Sequence, residues 1–200
     1  MIETNTSTKN FRPLSEKINV NYFFKIFLIS LFPTHFWTLL MIFNDLEFVS
    51  ERTSLWDSIG YAGYSLLFAL VESLAIAVLL WIISLAFPKV WNQTRTLSVV
   101  GSIYLVIAGA SIVDMAAHAF NDVRIAKQYL YGLENFTTLT YFLIIGAILI
   151  TLSASLVLIL KTERGEKVFS DLFDRVMLLS YFYLLLDAIG IVIVVIRNVF

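Results

Sequence analysis

Cysteine is absent from the 200 residues of this chain, and only two residues are histidine. The lack of cysteine excludes disulfides, thiolate metal sites, CxxC redox centres and thiol nucleophiles. Two histidines are too few for the histidine-rich clusters of membrane di-iron oxygenases. Charged residues make up only 14% of the chain and cluster between the apolar runs, so the net charge of −1 by itself gives no information about nucleic-acid or acidic partners. No nucleic-acid partner is predicted.

Apolar residues are abundant instead. They make up 59% of the chain, and the mean hydropathy is +0.84. Soluble domains contain about 45–50% apolar residues, so this composition indicates an integral membrane protein. A helix that crosses a bilayer needs about 20 apolar residues. Five stretches meet that length: 22–43, 58–87, 98–120, 137–160 and 176–197.

The sequence therefore predicts an all-α, polytopic membrane protein with a bundle of five transmembrane helices. Residues 1–20 are polar and are predicted to be a disordered cytoplasmic N-terminus, whereas 21–200 form one transmembrane domain. Lysine and arginine are enriched in cytoplasmic flanks of membrane helices. A cytoplasmic N-terminus places ten of the 14 basic residues inside and four outside. The predicted protein is thus a multi-pass protein of the cell membrane, with its C-terminus on the outer face.

Local patterns predict where some helices begin, bend and end. Ser54 and Asp57 have the spacing of a capping box at the start of the second span. Pro33 removes one backbone donor inside the first span, which favours a kink. The polar stretch 44–59 is predicted to be an outer loop, with or without a short interfacial helix. The charged stretch 161–175 is predicted to be a solvated inner linker.

Five ionisable residues lie within the predicted spans, between the membrane centre and the outer surface. A charge at the centre of a membrane helix costs roughly 2.5–3.5 kcal/mol, so each of these groups needs a partner, a cavity or a function. Lys25 lies near the end of its span, where it can extend to the headgroups. The predicted intramembrane polar cluster consists of His35, Glu72, Asp114, His118 and Asp187.

Small and polar residues recur at helical spacing in four spans, and such stripes usually face other helices. We therefore expect Glu72, Asp114 and Asp187 to approach one another in a common interior. The stripes contain Ala62, Ser65, Ala69, Glu72 and Ser73; Ile107, Ala110, Ser111, Asp114, Ala117, His118 and Asn121; Thr140, Ala147, Thr151, Ala154 and Ser155; and Ser180, Tyr183, Asp187 and Gly190.

Several roles are compatible with this cluster. Its members can pair to hold the bundle in register, or they can form a proton or cation pathway. Asp114 and His118 are four residues apart and, with His35, are candidate ligands for Zn²⁺ or another divalent metal. Haem ligation by His35 and His118 is disfavoured, because their estimated depths in the membrane differ by roughly 10 Å on the helical rise. Glu72 and Asp187 are candidates for an acid/base pair acting on a lipid.

The chain contains no G-x-S-x-G, H-E-x-x-H or P-loop motif. The first functional hypothesis is a non-catalytic membrane subunit or accessory protein that acts through helix contacts. The alternative is a small transporter or proton- or cation-conducting protein, and a third hypothesis is a metal- or lipid-dependent membrane enzyme. No catalytic residue and no cofactor is predicted. The expected partners are the lipid bilayer and either further copies of the chain or another membrane protein.

Overall fold

The computed structural model describes the backbone of residues 19–88, 90–119 and 137–199, and their side chains except those of 117–119 and 137–144. The predicted disordered N-terminus lies almost entirely outside the described residues. The described chain forms five helices: α1 (Val20–Arg52), α2 (Leu55–Leu85), α3 (Gln93–Ala119), α4 (Thr137–Lys161) and α5 (Glu163–Val199).

Four of these helices, α1, α2, α3 and α5, are long and apolar enough to cross a membrane. Helix α4 has 25 residues, and its segment Ile145–Lys161 is apolar as well. This all-helical architecture fits the predicted membrane bundle.

Helix α1 is longer than predicted and leaves only Thr53 and Ser54 before α2. The irregular connection predicted within 44–59 is therefore wrong except at these two residues, and 44–52 is helical as an extension of α1 rather than as a separate short helix. No glycine or proline interrupts 44–52, and the Tyr61 hydroxyl of α2 donates to Asp45 Oδ2 at 3.0 Å, which ties the extension to its neighbour. The predicted capping box is present, since Ser54 and Asp57 exchange side-chain to backbone hydrogen bonds. Helix α1 continues through Pro33.

Helix α5 begins directly after Thr162, so the prediction of a linker over 161–175 is also wrong. Thr162 Oγ1 accepts the Gly165 backbone N–H at 3.0 Å and caps the helix. A Cβ atom at Gly165 would lie 2.3 Å from the Leu158 carbonyl oxygen, so this sharp turn requires glycine. Glu163 and Glu166 stand in the first turn, where carboxylates stabilise the positive end of the helix dipole.

The core lies around α1, which packs against α2, α3 and α5. Contacts between α1 and α5 keep a constant offset of 152 residues, as between Leu28 and Ser180, so the two helices are parallel. Helices α2 and α5 approach closely where Gly63 faces Gly190. A Cβ atom at Gly190 would lie 3.2 Å from the Gly63 carbonyl oxygen. The apolar core contains Tyr22, Ile26, Leu28, Ile29, Leu31, Ala77, Leu80, Leu97, Val100, Phe173 and Met177.

Candidate functional site: a buried histidine–aspartate pair and an outward carboxyl group

His35 of α1 and Asp187 of α5 form a buried pair. His35 Nε2 lies 2.8 Å from Asp187 Oδ1, and the two side chains are 0% and 3% exposed. The other ring nitrogen, Nδ1, lies 3.0 Å from the Leu31 carbonyl oxygen. The Tyr183 ring stacks on the imidazole with 5.3 Å between ring centroids. The imidazole is therefore held on both nitrogens and one face.

These contacts determine how protons are distributed in the pair. The Leu31 carbonyl can only accept, so Nδ1 carries a hydrogen. One further proton then lies between Nε2 and Oδ1, either as imidazolium with carboxylate or as imidazole with carboxylic acid. The pair has no net charge in either form, which reduces the free energy of burying it. Asp187 Oδ2 is buried and has no hydrogen-bond partner among the described residues.

Hydroxyl groups surround the same stretch of α1 on the side of α2. Ser30 Oγ donates to the Ser73 carbonyl oxygen at 2.8 Å. Thr34 Oγ1 is hydrogen-bonded to Ser73 Oγ and lies 3.0 Å from the Ser30 carbonyl oxygen. Because Pro33 lacks an N–H, this turn of α1 has one backbone donor fewer than a regular helix. Hydrogen bonds to α2 thus join the two helices at the turn of α1 that lacks a backbone hydrogen bond.

Helices α3 and α5 contribute a hydroxyl each. Tyr104 of α3 donates to the Ser30 carbonyl oxygen at 3.1 Å, and Ser180 of α5 donates to the Leu28 carbonyl oxygen at 2.6 Å. Each helix that packs on α1 therefore hydrogen-bonds to it between positions 28 and 35. We call this set the polar seam. It consists of Ser30, Thr34, His35, Ser73, Tyr104, Ser180 and Asp187.

Among the cluster members whose side chains the structure describes, His35 and Asp187 are in direct contact. Glu72 is exposed, Asp114 is half-buried, and the side chain of His118 lies outside the described residues. No group of three histidine, aspartate or glutamate side chains in the described part of the chain is arranged to hold a metal ion. The functional roles of these residues remain predictions.

Glu72 lies in the middle of α2, about 25 Å from the start of the helix and about 20 Å from its end. The surrounding surface of α2 is apolar. Phe68 is 74% exposed and Val71 is 60% exposed.

The predicted small-residue stripes are buried in α5 and in part of α2, where Ala69, Ser73, Ser180 and Gly190 are all covered. In the later part of α3 and the described first part of α4, the predicted stripes are exposed or half-buried instead of buried. A Cβ atom added at Gly109 or Gly146 would meet nothing within 4 Å. Ile107, Ser111, Ala147, Thr151 and Ala154 are likewise exposed.

A second polar contact joins α5 to α2 at the end of the bundle where α2 begins. Arg197 Nη1 donates to the Trp56 carbonyl oxygen at 2.8 Å, and Nη2 forms an ion pair with Asp57. Hydrogen bonds from Ser54 and from Arg197 lower the pKa of Asp57 below its ordinary value of 3.8. Sequence reasoning identified the cap but missed Arg197 as its partner, because their separation of 140 residues leaves no local signal.

Tyr104 was also missed as a member of the seam. It precedes Ile107, the first residue of the predicted α3 stripe, by one helical turn, so extending the stripe backwards would have included it. No protein-family model matches the chain, and neither the curated proteins nor the solved structures include a significant match to it.

Proposed function

We propose that this protein is a non-catalytic membrane subunit that assembles laterally through the face of α2 that carries Glu72. The observation that carries the proposal is the exposure of this carboxyl group in the middle of an apolar helix. The proposed orientation has the N-terminus in the cytoplasm and the C-terminus outside, as the distribution of lysine and arginine indicates.

The free-energy cost of exposing a charged side chain to lipid favours an arrangement in which another helix covers Glu72. A charged side chain at the bilayer centre costs roughly 2.5–3.5 kcal/mol even on insertion scales that allow local relaxation. His35 and Asp187 avoid this penalty by pairing inside the bundle. Glu72 is exposed instead, and the apolar surface around it favours contact with another transmembrane helix over contact with water.

A second copy of the chain is the partner that we propose. A carboxyl group in its acid form both donates and accepts hydrogen bonds, so two Glu72 side chains are self-complementary across a two-fold axis. Hydrogen bonds between membrane helices contribute about 0.6–2 kcal/mol each. Apolar packing of neighbours such as Phe68 and Val71 would add to this contact.

The experiment is a measurement of oligomeric state in lipid membranes by single-molecule photobleaching. The wild-type protein and Glu72→Gln should both associate, because an amide also donates and accepts hydrogen bonds. Glu72→Leu should weaken association by about tenfold, which corresponds to about 1.4 kcal/mol. Leu74→Ala, a change at an exposed residue about 160° away from Glu72 around α2, is the control. A wild-type protein that remains monomeric at every density in the membrane would contradict the proposal.

A second candidate function is proton-linked transport through the polar seam. The observation that favours it is Asp187 Oδ2, which is buried and has no hydrogen-bond partner among the described residues, while Oδ1 of the same carboxyl group contacts His35. Flux driven by a pH gradient in proteoliposomes tests this function. Abolition of flux by Asp187→Asn in a correctly assembled protein would support it. An absence of flux in the wild-type protein, together with association that depends on Glu72, would favour the subunit.

A further inference from the structure

A cavity of about 570 Å³ opens at the end of the bundle where α1 and α3 begin. Ligand sites usually have volumes of about 300–1,000 Å³. Three helices line this cavity, and a smaller chamber of about 60 Å³ adjoins it through shared walls. The shared lining residues are Tyr22, Lys25, Gln93 and Asp174.

The lining changes from polar to apolar along the helix axes. On α1, Lys25 is followed one turn later by Leu28, and on α5, Asp174 is followed by Met177 and Leu178. Leu178 is 70% exposed, so the apolar part of the wall is open to the surroundings of the bundle. A phospholipid has the same gradient, since its headgroup lies at the membrane surface and its acyl chains extend inward.

Two opposite charges lie at the polar end. Lys25 and Asp174 are both exposed, and neither forms an ion pair with another described residue. One cation and one anion in the same cavity complement a ligand that carries both charges. A lysine ammonium binds phosphate, and a carboxylate accepts hydrogen bonds from a primary ammonium.

The smaller chamber supplies a buried polar group. Ser98 is 1% exposed, lines the chamber, and its Oγ has no hydrogen-bond partner among the described residues. An unpaired buried hydroxyl is unfavourable by about 1–3 kcal/mol, so a ligand oxygen in the chamber would relieve a specific deficit.

We propose that this cavity binds a zwitterionic phospholipid with a primary amine, of the phosphatidylethanolamine class. Lys25 binds the phosphate, Asp174 accepts hydrogen bonds from the ammonium group, and Leu28, Met177 and Leu178 contact the acyl chains. Phosphatidylcholine has the same charges but its quaternary ammonium donates no hydrogen bond, and phosphatidylglycerol lacks the cation altogether. The headgroup preference therefore depends on Asp174.

The experiment measures binding of dioctanoyl phosphatidylethanolamine, phosphatidylcholine and phosphatidylglycerol to delipidated full-length protein by native mass spectrometry. We expect the ethanolamine lipid to bind the wild-type protein at least about fivefold more tightly than the other two, near the upper limit for an exposed ion pair. Asp174→Asn should abolish this preference, and Lys25→Gln should weaken all three lipids. Asp171→Asn, one turn earlier on α5, is the matched control and should leave the preference intact.

A variant that acquires a new lipid preference distinguishes a changed binding site from misfolding, since a misfolded protein would lose binding to all three lipids. Asp174→Lys places two cations in the cavity and should make phosphatidylglycerol the preferred lipid. Equal binding of all three lipids by the wild-type protein would overturn the proposal, as would a preference for the choline lipid or a loss of preference in Asp171→Asn. The proposal does not depend on association through Glu72, because the cavity and the Glu72 face share no residue.

Discussion

Truncation of Asp187 should destabilise the bundle strongly. Asp187→Ala leaves His35 fully buried with no partner at Nε2. Removing one member of a buried pair typically costs about 3–5 kcal/mol, because the remaining polar group is desolvated without compensation. Asp187→Asn should cost about 1 kcal/mol or less, since the introduced amide donates a hydrogen bond to neutral imidazole at nearly the same position. The two substitutions at one site thus separate loss of the hydrogen bond from loss of the charge.

A double-mutant cycle measures the coupling within the pair. His35→Ala also leaves a buried partner unsatisfied, whereas the double alanine variant removes both polar groups. The double variant should therefore be more stable than the sum of the single effects predicts, by about 1–3 kcal/mol. Free energies of unfolding are measured in lipid bicelles by steric trapping.

Glu72→Ala is the matched control for a carboxyl group within a helix. Because Glu72 is exposed, its truncation should change the unfolding free energy of the monomer by less than about 0.5 kcal/mol. The reasoning is refuted if Asp187→Ala costs less than about 1 kcal/mol, or if Asp187→Asn is as damaging as Asp187→Ala. Either result would mean that His35 and Asp187 do not hold α1 and α5 together.

Two further predictions concern packing and pH. Gly190→Leu should lower the melting temperature by several degrees, because α2 and α5 approach too closely there for a side chain. Gly109→Leu should be tolerated, because the surroundings of Gly109 are open. Equal effects of the two substitutions on the melting temperature would contradict the assignment of the close contact. The lowered pKa of Asp57 means that its contribution to stability is present above pH 4 and is lost as the pH falls through the folded-state value. Scans of melting temperature between pH 6 and 2 should therefore show a decline at the acidic end that is smaller in Arg197→Gln, and identical profiles would indicate that the ion pair is absent.

The positions of the long helices in the described part of the chain could be predicted because the apolar runs are long and separated by polar segments. Helix ends were less predictable. The stretch 44–52 is polar, which suggested a loop, but it contains no residue that stops a helix. The charges of 163–175 likewise suggested a linker, although charged side chains are compatible with an exposed helix surface. In both cases polarity was interpreted as irregular structure.

The direction of each polar side chain was harder to predict. Asp187 shares a helical stripe with Ser180 and Gly190, and all three are buried. Glu72 was assigned to the stripe of Ala69 and Ser73 because it follows Ala69 at helical spacing, yet its position on the helix is about 60° away from Ala69 and about 100° away from Ser73. The buried face of α2 is a row of small residues that includes Ala69, Ser73 and Ala77, and Glu72 lies beside this row rather than within it.

The central claim, that the Glu72 face of α2 contacts a second copy of the protein, is tested most directly by disulfide crosslinking in native membranes. The chain has no cysteine, so single cysteines report on defined positions without background. Phe68→Cys and Ala75→Cys flank Glu72 one turn away on each side, and Leu179→Cys on α5 is an exposed control. We expect oxidation to give a species of twice the monomer mass at the two α2 positions and not at the control, with a lower yield of that species when Glu72→Leu is added. Equal crosslinking at all three positions, or none at the α2 positions, would contradict the proposal.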